Sequence, residues 1–271
     1  MTGKSWPPLA LGAALSPPDL DLRPAESRDE LEAAYRLVYQ SYVRRSYIDP
    51  HPGGVRVTLF NAVPDAVTFI AALRGEVIAT VSLLPDTPAG LPMDEIYHSE
   101  LDKLRRAGRR LSEVTMLADR RLEIRRTLPM LLQLMKLVFD YATRVLEAHD
   151  LCVTINPRHD AFYKRYLLFT DIGGRKMYPS VRNNPAVARR LNLLTVRDRT
   201  RGRVALQTTF FENRYDREFF NRRYRMTAED IQYFHGLCGM VSRAPAGLIE
   251  WFKSLYPNLP WDEWRSHPAS P

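Results

Sequence analysis

The stretch from Leu111 to Ile155 limits the possible folds more than any other part of the chain. A β-rich apolar run, Leu111 to Ala118, passes through a basic loop holding Arg120, Arg121, Arg125 and Arg126 into a helical pattern that Thr127 can cap and that runs to about His149. In that pattern Gln133, Lys136, Asp140, Arg144 and Glu147 form one narrow polar stripe, and Leu, Met, Val and Phe take most other positions, so the helix is expected to be buried. Leu151 to Ile155 follows as a second apolar strand. Strand, long helix and strand in that order call for a crossover connection within a sheet.

The flanking sequence completes the pattern. Ser27-Arg28-Asp29-Glu30 reads as a capping box before a helix whose Leu31, Ala34, Tyr35, Val38 and Tyr42 share one face. Val67 to Leu73 and Val77 to Leu84, joined at Arg74-Gly75-Glu76, predict an antiparallel hairpin. A helix from Asp94 to Ala107, a helix around His159 to Leu167 and a strand near Arg175 to Tyr178 complete the core. The fold class is therefore α/β (α+β), a mixed, mostly antiparallel sheet flanked by helices. Residues 1–20, rich in proline, read as a flexible leader, 21–194 as the core, and 195–271 as a mainly helical C-terminal extension of open role. Within that extension Val204 to Phe211 reads as a strand, Asp216 to Tyr224 as a basic aromatic helix, a helix capped by Thr227 runs to near Val241, Leu248 to Leu255 adds a turn or two, and Pro257 to Pro271 reads as a tail.

Composition narrows the partners. No apolar run approaches the roughly 20 residues of a membrane-spanning helix, and no continuous hydrophobic signal segment follows Met1, so a cytoplasmic protein is expected. Two cysteines, Cys152 and Cys238, form neither a metal pattern nor a disulfide framework and read as small core hydrophobes. The net charge of +8 points to acidic partners: nucleic acid, anionic lipid or an acidic protein.

Several segments together resemble the GNAT acyltransferase superfamily, and in particular its N-acyl amino acid synthase branch (FeeM type), related to acyl-homoserine-lactone synthases and exosortase-associated acyltransferases. They are the first helix around Tyr35-Arg36-Leu37-Val38-Tyr39, the strand Leu111-Ser112-Glu113-Val114-Thr115, the strand-to-helix turn after Leu117, and Asn156-Pro157-Arg158-His159-Asp160-Ala161-Phe162-Tyr163. The resemblance covers roughly residues 25 to 194. It implies N-acyl transfer from a thioester, with the fourth and fifth strands splayed around the donor's pantetheine arm. Two departures stand out. The superfamily's Gln/Arg-x-x-Gly-x-Gly/Ala turn is matched by Arg125, but Leu128 and Met130 replace the two glycines and Pro129 offers no N–H, so the pyrophosphate cradle is lost. Met116 stands where the homoserine-lactone enzymes carry arginine, which argues against that product.

The resemblance and the residue chemistry together nominate a site. Glu113, on a strand between apolar neighbours, is the candidate base, its pKa raised by burial, or else a salt-bridged strand carboxylate. Tyr163 is the candidate acid for the thiolate, or a core tyrosine. Thr115, Met116, Leu117, Asn156 and His159 are candidate substrate contacts; Leu117 would offer backbone N–H groups to the thioester carbonyl, Asn156 alternatively forms an Asx-turn, and His159 alternatively just begins its helix. No metal site and no tightly bound cofactor are expected. With the cradle lost, acyl carrier protein suits as donor better than acyl-CoA, and Arg120, Arg121, Arg125 and Arg126 would meet its acidic surface. The acceptor implied is an amino acid or similar small amine, and the acyl group a long chain. Competing readings are a CoA-dependent N-acetyltransferase and a non-catalytic module whose Arg214 to Arg225 segment, with aromatics among arginines, binds nucleic acid or an anionic surface.

Overall fold

The computed structural model describes residues 19–120, 124–212 and 214–266, with the backbone alone for 124–128. The elements in chain order are β1 Leu20–Pro24, α1 Arg28–Arg44, β2 Val67–Leu73, β3 Glu76–Pro85, α2 Asp94–Arg106, β4 Leu111–Asp119, α3 Ile124–Arg144, β5 Asp150–Ile155, α4 Asp160–Tyr166, β6 Thr170–Tyr178 and β7 Asn184–Asn192. The extension holds α5 Val196–Arg199, α6 Val204–Phe211, α7 Arg217–Asn221, α8 Ala228–Cys238, α9 Ala246–Leu255 and α10 Trp261–Ser266. The strands form one sheet in the order β1-β2-β3-β4-β5-β7-β6. Every neighbouring pair is antiparallel except β4 and β5, the pair joined by the α3 crossover.

Two apolar clusters lie on opposite faces of this sheet. One joins α1 and α2 to α8, α9 and α10, with Tyr35 edge-on to Phe234 at 5.5 Å. The other joins α3 and α4 to α6 and α7, where Phe220 packs on Phe69 and Tyr141. The extension thus clothes both faces of the core instead of standing apart from it. No helix among the described residues is long and apolar enough to cross a membrane.

The expected first helix, hairpin and second helix are all present. Ser27 caps α1 by accepting the Glu30 N–H, but Glu30 accepts from Glu26 N–H and Arg23 instead of closing the box. Both cysteines are buried, as expected. Other expectations need correction. Helix α3 begins before Thr127 and stops at Arg144, because Glu147 takes a left-handed conformation (φ 50°) and Ala148 N–H closes back on the Ala142 carbonyl. Strand β7 lies outside the expected elements, and β6 is longer than Arg175 to Tyr178. The segment 204–211 is helical: at helical spacing Leu206 is buried and Phe210 and Phe211 meet Phe139 of α3, and that packing outweighs β propensity. The basic aromatic helix shortens to α7. The supposed tail from Pro257 contains α10, anchored by buried Trp261 and by Trp264 stacked on His235 at 4.7 Å. The leader lies outside the described residues as far as residue 18.

Two members of the α3 polar stripe, Lys136 and Asp140, do not face water. Asp140, wholly buried, accepts from Arg214 Nε at 2.6 Å, Tyr215 N–H at 3.1 Å and Lys136 Nζ at 3.2 Å, and Lys136 also donates to the Glu212 carbonyl. These contacts hold the chain between α6 and α7 against the core.

Gly53 marks a second docking point of the extension. A Cβ there would sit 1.7 Å from the Leu237 carbonyl oxygen of α8, whereas one on Gly236, in the same helix, meets nothing. Gly53→Ala is expected to lower stability by about 1–3 kcal/mol or more, because backbone must move. Gly236→Ala should be neutral or stabilising by up to about 1 kcal/mol. Thermal denaturation of the two variants side by side tests this, and equal melting temperatures would refute the tight docking of α8.

Candidate active site

The two middle strands part company along their length. Parallel β4 and β5 pair only at Leu111, Ser112 and Glu113 with Asp150, Leu151 and Cys152; beyond Glu113 no pairing between them continues. β4 then bulges. Ser82 pairs with Thr115 and Thr80 with Ala118, so Val81 alone stands opposite Met116 and Leu117, and Met116 adopts φ 55°. The splay begins where the candidate base stands.

At this fork a cavity of about 120 Å³ opens. Its walls come from α1 (Tyr42), the loop after it (Tyr47, Arg56, Thr58), β4 (Glu113, Thr115, Met116), the end of β5 (Thr154, Asn156) and the β6–β7 turn region (Tyr178, Asn184). Glu113 and Thr115 face it together, as strand alternation requires. Of the candidate residues, Glu113, Thr115, Met116 and Asn156 therefore share one cavity, while Leu117, His159 and Tyr163 do not form its wall. Tyr42, Tyr47, Arg56 and Tyr178 belong to the cavity and were not singled out as site residues. Nothing local distinguishes them, since a helix, a long loop and the far end of the sheet bring them together.

Glu113 is 3% exposed, and among the described residues its carboxyl makes a single hydrogen bond, from the Met93 N–H at 2.9 Å. Burial pushes its pKa up to about 8; the Met93 N–H pulls the other way, and Asp94 and Asp86 add to the rise. Buried, and bonded among the described residues by the Met93 N–H alone, Glu113 is neither a surface nor a salt-bridged carboxylate. Tyr163 is buried with its ring edge-on to Phe162 and Phe169, and burial keeps its hydroxyl protonated. Asn156 does form the Asx-turn, accepting the Arg158 N–H at 3.1 Å, while also facing the cavity. His159 takes a hydrogen bond from Arg158 Nε at 3.0 Å, and its pKa is lowered by burial and by Arg158 and Arg45.

Much of the basic charge is spent inside the molecule. Arg105 binds Asp86, Asp94 and Asp102, Arg109 binds Asp150, and Arg120 pairs with Glu76. Arg121 and the side chains of Arg125 and Arg126 lie outside the described residues. The Arg214 to Arg225 segment is likewise structural: Phe220 is core, Arg214 is bound to Asp140, and Arg223 to Asp65. That takes Arg214, Phe220 and Arg223 out of any nucleic-acid surface there, while Arg217 and Arg222 stay exposed.

Residues 33–192 match the family model of the N-acyl amino acid synthase FeeM. The chain belongs to the FeeM family. The solved structure of FeeM, an N-acyl amino acid synthase from uncultured soil microbes, superposes with a TM-score of 0.58 at 33% identity, covering 66% of this chain and 93% of that one. The CoA-dependent acyl-homoserine lactone synthase BjaI, solved with SAM and isopentyl-CoA, superposes with a TM-score of 0.51 at 18% identity over 70% of this chain and 86% of its own, which shows a shared fold. No curated protein matches the chain. This member of the FeeM family is accordingly an N-acyltransferase with a GNAT-like core. Its residues after Asn192 lie outside the family match.

Proposed function

We propose that the enzyme moves a long-chain acyl group from the thioester of acyl carrier protein to the amine of an amino acid or similar small molecule. The observation that carries this reading is the buried carboxyl of Glu113 at the fork between β4 and β5, where a thioester threaded between the strands would meet an acceptor in the cavity. The amine nitrogen attacks the thioester carbon, Glu113 as carboxylate takes the amine proton, the C–S bond breaks, and the thiolate leaves to be protonated, giving amide and thiol. A base titrating near 8 is matched to that transfer at mildly alkaline pH. The bulge turns the Met116 and Leu117 peptides out of the regular ladder, and we assign those N–H groups to the oxyanion. Thr115 and Asn156 contact the substrates. Tyr163, held protonated, is the assigned proton source for the thiolate, with Tyr42 of the cavity wall as its neighbour.

Carrier protein is favoured over free acyl-CoA because the residues after the turn, at the start of α3, are poorly suited to cradle a pyrophosphate. Pro129 lies inside that helix without an N–H, and Met130, where a glycine would give a phosphate room, is buried in the core. The test incubates purified protein with long-chain acyl carrier protein or the matching acyl-CoA and a pool of amino acids, with product identified by mass spectrometry. N-acyl amino acids formed from the carrier protein and not from acyl-CoA are expected; the reverse preference would overturn the donor assignment.

Charge reversal at Arg120, Arg121, Arg125 and Arg126 is expected to raise the apparent KM for carrier protein and to flatten its salt dependence, with little change in kcat. Steady-state rates from low to physiological salt measure this. Unchanged kinetics would place carrier docking elsewhere.

A further inference from the structure

We infer that Arg56 is a specificity-determining residue that holds the carboxylate of the acceptor, so that the enzyme selects amino acids over amines lacking that group. The inference rests on the acyl-transfer reading of the same cavity. Arg56 lies between Val55 and Val57, both buried, and its backbone is fixed by a hydrogen bond from its N–H to the Tyr35 carbonyl at 3.0 Å. Its side chain reaches the cavity that Glu113 faces, with the guanidinium over the Tyr42 ring at 5.9 Å. Among the described residues no carboxylate pairs with it, and its Nε is shut off from solvent with no acceptor in reach.

An arginine in that state is an incomplete site. A buried guanidinium N–H left without an acceptor is costly, and a planar fork is suited to a carboxylate. The neighbouring arginines are differently placed: Arg158 donates to the Tyr47 hydroxyl and to His159, and Arg45 to Ser41. Glu113 does not neutralise Arg56: among the described residues its carboxyl is bonded by the Met93 N–H alone. Among the described residues that line it, the cavity therefore presents one cation, Arg56, and one carboxyl, Glu113, complementary to an acceptor that carries a carboxylate and an amine. Thr154, whose buried hydroxyl also lacks a partner, faces the same space and can complete the polar contacts.

The test uses the full chain with long-chain acyl carrier protein and acyl-CoA as donors. Each amino acid found to be acylated is compared with its decarboxylated amine, and binding of the amino acids is measured separately by calorimetry. Wild type should favour the amino acid in KM by about 10- to 100-fold, the value of a charge-assisted pair. Arg56→Met should raise KM for the amino acid by that factor, leaving kcat, KM for the amine and KM for the donor little changed, and Arg56→Lys should recover part of the loss. Equal effects on both acceptors, a rise in donor KM instead, or a wild type indifferent to the carboxylate would overturn the inference. If no donor gives product, the acyl-transfer reading fails by itself. Amino acid binding that disappears in Arg56→Met would still uphold the carboxylate site, and absence of such binding would refute it.

Discussion

Glu113→Gln is expected to lower kcat/KM by on the order of 100- to 10,000-fold, the usual worth of a positioned general base, while leaving the fold intact. The amide keeps the shape of the side chain and an oxygen for the Met93 N–H, so what is lost is the ability to take a proton. In wild type the rate should climb with pH until the carboxyl is ionised, near 8, and the variant should lack that rise. Stability should move the other way. Below the ordinary value of 4.5 the carboxyl is protonated in both folded and unfolded chains; between 4.5 and about 8 the unfolded chain releases the proton and the folded one keeps it, so wild-type stability falls as pH rises through that window. The variant escapes this penalty and should gain on wild type by a few kcal/mol, in order of magnitude, above pH 8. Urea unfolding at pH 5 and pH 8.5, beside the pH–rate profiles, gives both results. A variant as active as wild type would remove Glu113 from the chemistry.

The second large effect concerns Asp140. Replacing it with Ala leaves Lys136 and Arg214 without their carboxylate in a wholly enclosed position, and breaking such a set by removing one partner costs about 3–5 kcal/mol. It also releases the Tyr215 N–H, so the segment between α6 and α7 should become the first site cut by protease. The apolar triple variant Asp140→Leu, Lys136→Met and Arg214→Leu should recover much of the loss, because the cost lies in unpaired charge and not in lost volume. A loss below about 1 kcal/mol for Asp140→Ala would mean that the extension is held by its apolar contacts alone.

Residues 195–266 are therefore part of the folded unit that supports the catalytic core. Leu206 and Phe220 fill the α3 face, and Ile231, Phe234 and Phe252 fill the α1 face. An enzyme trimmed to the family-matched region would expose both.

The sequence by itself determined the periodic elements and the chemistry carried on them. The spacing of Leu31, Tyr35 and Val38, the hairpin across Gly75, and the strand-helix-strand run from Leu111 to Ile155 each encode a local preference strong enough to survive folding, and they specified a mixed sheet with a crossover helix between two strands. Glu113 came to notice through the resemblance of its strand to a Glu-x-Ser/Thr strand, and its burial is what the structure adds. Tertiary structure decided the remainder, since its causes lie far apart in the chain. Val204 to Phe211 became helical because Phe139 offered its aromatic side chains a seat; Lys136 and Asp140 of the α3 polar stripe were buried because Glu212, Arg214 and Tyr215 arrived with matching groups. Arg56 joined the cavity for the same reason: the residues that line it alongside Arg56 come from α1, β4 and β5, and no spacing in the sequence records that meeting. Local pattern is written in consecutive residues, whereas burial, pairing and pKa depend on which distant surface completes each group's surroundings.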